Sequence, residues 1–283
     1  MLCFLSMRIP FFKMQGLGND FLVFDAPAGT ANFQFDTTIR ALSHRQTGVG
    51  FDQALMLAPP RNGAARVFYR VFNSDGTEVQ QCGNGARCIA ALMFARQPQL
   101  GRELAIENAA GMVRAVVREN GLVSVDMGTP DFDPRSLPLD EPLERLSYSL
   151  EVDGAPVEYG AVSMGNPHAV VSVDDVKTAP VGRFGPTIEK HPRFPQRVNV
   201  GFMQIMDRRC IRLRVHERGA GETLACGTGA CAAMAVGRRR GLLDSEVQVE
   251  LPGGTAIVSF AGPGQHSWLT GPAVTVFTGS VDI

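Results

Sequence analysis

The chain has 283 residues, of which 45% are hydrophobic and 19% charged, and its formal net charge is -1. That length supplies a sizeable core and suits one large domain or two of ordinary size. The balanced charge and ordinary apolar content exclude a disordered tail and a basic nucleic-acid-binding face, so the expected partner is a small molecule, with neither nucleic acid nor membrane involved.

In chain order, the opening MLCFLS is apolar but lacks a basic flank before it and a small-residue cleavage site after it. Met7 offers a second start, which would make the first six residues an extension. No signal peptide and no apolar run of about 18 residues are present, so the expected location is the cytoplasm. The six cysteines are then expected to be mostly reduced thiols. Gly18-Asn19-Asp20-Phe21 follows, and further on Gln53 precedes the strand-like ALML. From Arg66, RVFYRVF alternates as a half-buried strand and runs into the polar turn NSDGTEVQQ. Cys82 then heads CGNGARCIAALM, a Gly-x-Gly turn entering an Ala-rich helix. A Pro- and acid-rich stretch from Gly128, GTPDFDPRSLPLDEPLE, reads as a linker. Past it come Gly165-Asn166-Pro167-His168, Asn199 before VGFM, and the alternating strand CIRLRVH from Cys210. ERGAGETLA leads to Cys226, which heads a second Gly-x-Gly turn and Ala-rich helix, CGTGACAAMAVG.

The second series repeats the first. RVFYRVF aligns on CIRLRVH without a gap, Asn73 and Glu217 each stand nine residues before their cysteine, and Glu78 coincides with Glu222. Gly18-Asn19 matches Gly165-Asn166, and Gln53 matches Asn199. The repeated unit is a run of short strands broken by Gly, Pro and Asn turns and leading into a long helix. It predicts an α+β fold of two pseudo-symmetric domains, each a mostly antiparallel sheet wrapped on a long central helix, with an active site in the cleft between them.

A helix that starts just after a cysteine leaves its first N–H groups unpaired and favours an anion or a thiolate there. Gly83, Gly85, Gly227 and Gly229 have no side chain to keep a ligand from those groups. Each half is therefore expected to supply one cysteine whose thiol is made more acidic by its helix. Cys88 and Cys231 fall within the apolar helix faces and read as packing, while Cys3 and Cys210 carry no signal. The spacings C-x5-C and C-x4-C do not suit structural zinc, and no metal is expected. A P-loop would need a lysine that is absent, and a Cys-His hydrolase would leave the second cysteine without a task. Two weak acids of one kind, one from each half, fit the inversion of a stereocentre: a thiolate takes a Cα proton from one face and a thiol delivers one to the other. The two helix N-termini would stabilise the charge that develops on the α-carboxylate.

With these residues assembled, the sequence closely resembles the diaminopimelate epimerase family. The matching stretches are KMQGLGNDFLVFD, NSDGTEVQQCGNGARC, GNPHAV, RVNVGF and HERGAGETLACGTGACA, over nearly the whole chain. The resemblance implies a homodimeric, cofactor-independent isomerase that interconverts LL- and meso-2,6-diaminopimelate for lysine and peptidoglycan synthesis. It implies one half over residues 7–127, completed by a C-terminal strand over 273–283, and another over 128–272. Carried over by position, the catalytic pair is Cys82 and Cys226, supported by His168 and Glu217. The implied substrate contacts are Asn19, Gln53, Asn73, Asn166, Asn199, Glu217 and Arg218, with the helix-start groups of Gly83, Asn84, Gly227 and Thr228. Arg218 suits a distal carboxylate, because a guanidinium can clamp it through two hydrogen bonds. Gln15 stands where many members have His, and Phe277, in an ending that resembles the family's last strand, stands where a dimer-contact Tyr is frequent. The nearest rival is a proline or hydroxyproline racemase, against which Arg218 and the several Asn residues argue. A rival of another class is a thiol redox or binding module without proton exchange.

Overall fold

The computed structural model describes residues 7–26 and 35–282, so Met1 and Cys3 lie outside the described residues. The chain divides into two compact units, one of Met1–Val125 with Pro272–Ile283 and one of Asp126–Gly271. The first unit contains β1 (Arg8–Gly16), β2 (Asn19–Asp25), α1 (Phe35–Ser43), β3 (Gln53–Ala58), β4 (Phe68–Asn73), β5 (Glu78–Val79), α2 (Gly83–Arg96), β6 (Glu103–Asn108) and β7 (Gly111–Val117). β8 (Val123–Asp126) runs up to the boundary. The second contains β9 (Tyr148–Val152), β10 (Ala155–Ser163), β11 (Pro167–Ser172), α3 (Val181–Glu189), β12 (Asn199–Asp207), β13 (Cys210–Glu217), β14 (Gly221–Thr223), α4 (Gly227–Arg239), β15 (Glu246–Leu251), β16 (Gly254–Ser259) and β17 (Trp268–Gly271). The final strand, β18 (Val274–Asp282), returns to the first unit.

The repeat in the sequence is a repeat of strand pairings. In the first unit β1 pairs antiparallel with β2, β2 parallel with β3, β3 antiparallel with β4, and β4 parallel with β6, which continues antiparallel through β7. In the second, β10, β11, β12, β13, β15 and β16 make the same series with the same directions. On its other side β1 takes β18, which arrives from the far end of the chain, whereas β10 takes β9, its neighbour in sequence. The C-terminal strand thus fills in one unit the place that β9 fills in the other.

Each sheet is gathered around a helix rich in small residues, although α2 also buries Arg87. In α2 nine residues from Asn84 to Met93 are buried, and in α4 nine from Gly229 to Gly237. Such helices lack one polar face because strands cover them on most sides, and small residues let the strands approach. A Cβ on Gly160 of β10 would come within 2.4 Å of Val236 on α4, so glycine sets how closely that strand lies on the helix. The turn between β1 and β2 holds Leu17 at φ 58° and Gly18 at φ 80°, a left-handed pair of the kind that two-residue hairpins require. It delivers Asn19 to the first position of β2.

One expectation is corrected. The segment from Gly128 is not a free linker but part of the second unit. Leu137 and Leu139 are buried in its core with Tyr148, Tyr159 and Phe194, and Asp131 forms a β-bridge with Ser163. Its prolines indicate an irregular path, yet two leucines at alternate positions are apolar surface that the sheet can cover. Among the described residues no helix is long and apolar enough to cross a membrane.

Candidate active site

Strand register brings the polar residues of each unit to one end of its sheet. In the first unit Gln53 opens β3, paired with Phe21 on one side and with Asn73, the last residue of β4, on the other. Gln53 Nε2 donates to Asn73 Oδ1 at 3.0 Å, and Asn73 Nδ2 donates to Thr77 Oγ1 at 3.1 Å. Gln53 Oε1 is buried with no hydrogen-bond partner among the described residues. The turn after β4 is braced by a two-pronged ion pair, Arg70 to Glu78 at 2.8 and 2.7 Å.

That turn leads to Cys82, the N-cap of α2, with extended backbone at φ -147° and ψ 115°. Its Sγ accepts the N–H of Gly85 at 3.4 Å, as a serine oxygen would at a helix start. Gly85 packs closely, since a Cβ there would stand 3.1 Å from the Leu55 side chain of β3. On its other side Cys82 Sγ lies 3.9 Å from Asn19 Oδ1, which also accepts from Asn84 Nδ2 at 3.3 Å. The structure therefore gathers Asn19, Cys82, Gly83 and Asn84 around one helix start, with Gln53 and Asn73 joined to each other at the neighbouring strand ends.

The second unit repeats the frame with different chemistry. His168 pairs with Asn199 across β11 and β12, and Val200 pairs with His216 across β12 and β13, so Asn199 and Glu217 occupy the register positions of Gln53 and Asn73. The brace recurs as Arg214 to Glu222 at 2.6 and 2.9 Å. Cys226 is the N-cap of α4 at φ -118° and ψ 109°, accepts the N–H of Gly229 at 3.4 Å, and lies 3.6 Å from Thr228 Oγ1. Asn166 Nδ2 donates to the same threonine hydroxyl at 3.4 Å. Asn166 Oδ1 lies 3.1 Å from His168 Nε2. Asn199 ties two loops together, donating to Pro167 O at 3.0 Å and accepting the N–H of Arg218 at 2.9 Å. Thr223 Oγ1 donates to Glu217 Oε1 at 2.5 Å, and Arg218 Nη1 donates to Gln196 O at 3.0 Å.

The electrostatics amend the expectation that each helix makes its cysteine more acidic. Burial, and then the Glu217 carboxylate, push the Cys226 thiol well above its ordinary range, outweighing the hydrogen bonds from Thr228 and Gly229. Two donors do not compensate a buried anion beside another anion. Cys226 accordingly rests as a thiol, a proton donor. His168 is also buried, and its pKa falls to about 3, chiefly from desolvation and then from Arg218, so it is neutral at physiological pH. Cys88 is fully buried and pushed up to about 12 by desolvation, as befits a packing residue.

Several supporting residues are not legible in the sequence. Asp52 holds Asn19 Nδ2 at 2.9 Å, and Glu189 at the end of α3 binds both His216 Nε2 at 2.9 Å and the N–H of Gly219 at 3.0 Å, pinning the turn that carries Glu217 and Arg218. Asp52 had a signal, a carboxylate directly before Gln53, but Glu189 is 27 residues from its histidine and only the docking of α3 joins them.

This architecture has known counterparts. A hydroxyproline epimerase from Agrobacterium vitis superposes with a TM-score of 0.70 over 98% of this chain and 93% of its own, at 16% identity. The fold is therefore one that this hydroxyproline epimerase shares. Residues 11–132 and 160–276 match the protein-family model of diaminopimelate epimerase. The chain is 54% identical over 275 residues to the diaminopimelate epimerase of Stutzerimonas stutzeri (strain A1501), spanning 97% of this chain and 99% of that protein. It is also 54% identical over 279 residues to that of Thioalkalivibrio sulfidiphilus (strain HL-EbGR7), spanning 98% and 100%. The chain belongs to the diaminopimelate epimerase family and is an isomerase.

Proposed function

We propose that the protein interconverts LL- and meso-2,6-diaminopimelate by a two-base exchange at one α-carbon, with no cofactor. The observation that carries this reading is the matched pair of thiols, each capping a buried helix and each receiving one backbone N–H at 3.4 Å. In the forward step one cysteine, as thiolate, takes the α-proton while the other, as thiol, gives a proton to the opposite face. The C–H pair of electrons passes into the α-carboxylate as the first bond breaks and returns to carbon as the new one forms. The reaction consumes no net proton, and it leaves the two cysteines with exchanged protonation states. Backbone N–H groups of Gly83, Asn84, Gly227 and Thr228 are suited to the carboxylate, because charge develops on it only as the proton leaves.

The remaining polar groups divide the substrate between them. Gln53 Oε1, buried without a partner among the described residues, is an acceptor suited to an ammonium group. Glu217 is a second acceptor, and a substrate ammonium beside it would offset the negative charge that, after burial, helps to hold Cys226 protonated. Arg218 suits the distal carboxylate, which a cyclic imino acid lacks, so the likeness to hydroxyproline epimerase is one of fold. Asn19, Asn73, Asn166 and Asn199 orient these groups, and the neutral His168 supports the second half as a hydrogen-bonding group.

The proposed assembly is a homodimer in the cytoplasm. Its support is β18, which pairs with β1 and carries Val274, Val276 and Phe277 at 45, 57 and 47% exposure. The decisive experiment is incubation of the purified protein with LL-diaminopimelate in D2O, followed by NMR of the α-proton. Exchange with formation of the meso isomer is expected. Reversible thiol oxidation or ligand binding without exchange would show a redox or binding module instead.

A further inference from the structure

What Asn19 presents to Cys82 is decided on the far side of its amide. Asn19 Nδ2 donates to Asp52 Oδ2 at 2.9 Å. An ionised carboxylate only accepts hydrogen bonds, so the NH2 end of Asn19 must face Asp52 and its oxygen must face the other way. There Oδ1 accepts from Asn84 Nδ2 at 3.3 Å and stands 3.9 Å from Cys82 Sγ. Asp52 is itself fixed, because Oδ1 accepts from Arg45 Nη2 at 2.7 Å and Oδ2 also takes the N–H of Asp20 at 3.1 Å. Asp20 in turn is held by Arg45 at 3.0 Å and by the buried Lys13 at 2.6 Å, and it accepts the N–H of Asp52 at 2.9 Å.

We propose that Asp52 is a positioning residue for proton transfer at Cys82: by accepting from Asn19 it locks that amide with its oxygen toward the sulfur. An oxygen in that place accepts from the thiol and opposes the thiolate, whereas an NH2 group would do the reverse. The lock therefore works against the N–H of Gly85, which favours the thiolate, and keeps Cys82 able to serve in both protonation states. Titratable groups that interact with Cys82 include Tyr69 on β4 and Cys88 on α2, and burial keeps both protonated through the neutral range. The second unit orients its asparagine differently, since Asn166 turns its oxygen to His168 and its NH2 to Thr228.

The inference rests on the epimerase reading, and its test separates the two. Cys82 alkylation by iodoacetamide is followed against pH by peptide mass spectrometry, alongside kcat and KM, in wild type, Asp52→Asn and Asp52→Glu. In Asp52→Asn the carbonyl stays with the charged Arg45, the stronger donor, so the new NH2 faces Asn19 and the Asp20 N–H loses its acceptor. Asn19 must then turn its own NH2 toward the sulfur. The alkylation midpoint of Cys82 should fall by about one pH unit, and kcat should fall roughly tenfold with KM less affected. Asp52→Glu keeps an acceptor-only group and should keep the wild-type midpoint. Once Asn19→Ala is present, adding Asp52→Asn should change the midpoint no further, because the effect runs through that amide. An unmoved midpoint in Asp52→Asn, or a full shift in the Asn19→Ala background, overturns the inference. If Asp52→Asn does not fold, Asp52→Ala, which removes the acceptor and frees that amide to turn, takes its place with an expected fall in the same direction. A wild-type protein that shows the midpoint behaviour but no α-proton exchange would sustain the inference and defeat the epimerase reading.

Discussion

Cysteine is used in two ways within a few residues of itself, and side-chain surroundings separate them. Cys82 and Cys226 take a backbone N–H at helix starts, whereas Cys88 is sealed in α2 and raised to about 12. Cys226→Ala should lower epimerisation by roughly 10²–10⁴-fold, since one of the two proton carriers is lost. Cys88→Ala should leave turnover nearly intact and cost about 1 kcal/mol of stability. Near-normal exchange in Cys226→Ala, read by loss of the α-proton signal in D2O, would defeat the two-base mechanism. His168 gives a prediction about pH. Its folded pKa of about 3 lies below the unfolded value, so below about pH 6.5 the unfolded chain binds a proton that the folded one refuses. Stability linked to this group is therefore complete above that value and is lost progressively as pH falls toward 3. His168→Gln should flatten that part of the stability profile in urea titrations, and labelled-histidine NMR should show no His168 titration near neutrality.

Among the elements, α3 shows how packing sets the meaning of one residue type. Gly182 is exposed, and a Cβ added there would meet nothing within 4 Å, whereas a Cβ on Gly185 would stand 2.6 Å from the His216 ring. Gly182→Ala should stabilise by about 0.4–1 kcal/mol by restricting the unfolded chain. Gly185→Ala should destabilise by roughly 1–3 kcal/mol, because α3 must move off β13. That movement also breaks the Glu189 bonds to His216 and Gly219, so activity should fall in the second variant and hold in the first. Denaturant midpoints and kcat/KM for the two variants check both signs. The sequence showed neither contact, since α3 and β13 are joined only by the fold.

Across the chain as a whole, the return of β18 to β1 makes its end part of its beginning. Arg8 pairs with Asp282 at 2.9 Å, and the strands match from Arg8 to Gln15. Deleting residues 273–283 should leave β1 as an open edge and draw the truncated chain into aggregation. Hydrogen exchange should show β1 and β2 losing protection while β10 and β11, still flanked by β9, keep theirs. Equal protection in both units would mean that β18 is dispensable. At the same scale, Phe277→Lys should shift the proposed dimer toward monomer in sedimentation, since it places a charge on the exposed face of that strand.

Local pattern along the chain was enough to establish the repeat, the alternation of strand and helix, and the residue types placed before each cysteine: period-two burial marks strands, glycines mark turns, and small residues mark buried helices. From that pattern alone an α+β fold with two cysteine-headed helices was legible, and with the family's motifs so were the polar residues that each unit gathers at its strand ends. What each group experiences came from the packed fold. Folding put Glu217 and deep burial around Cys226, so that a helix start which should make a thiol more acidic leaves it less acidic. It drew Leu137 and Leu139 of an apparent linker into a core. It brought Asp52 to Asn19 and Glu189 to His216 across 33 and 27 residues. Desolvation, ion pairing and the direction of an amide depend on neighbours distant in the chain, and a sequence read locally does not contain those distances.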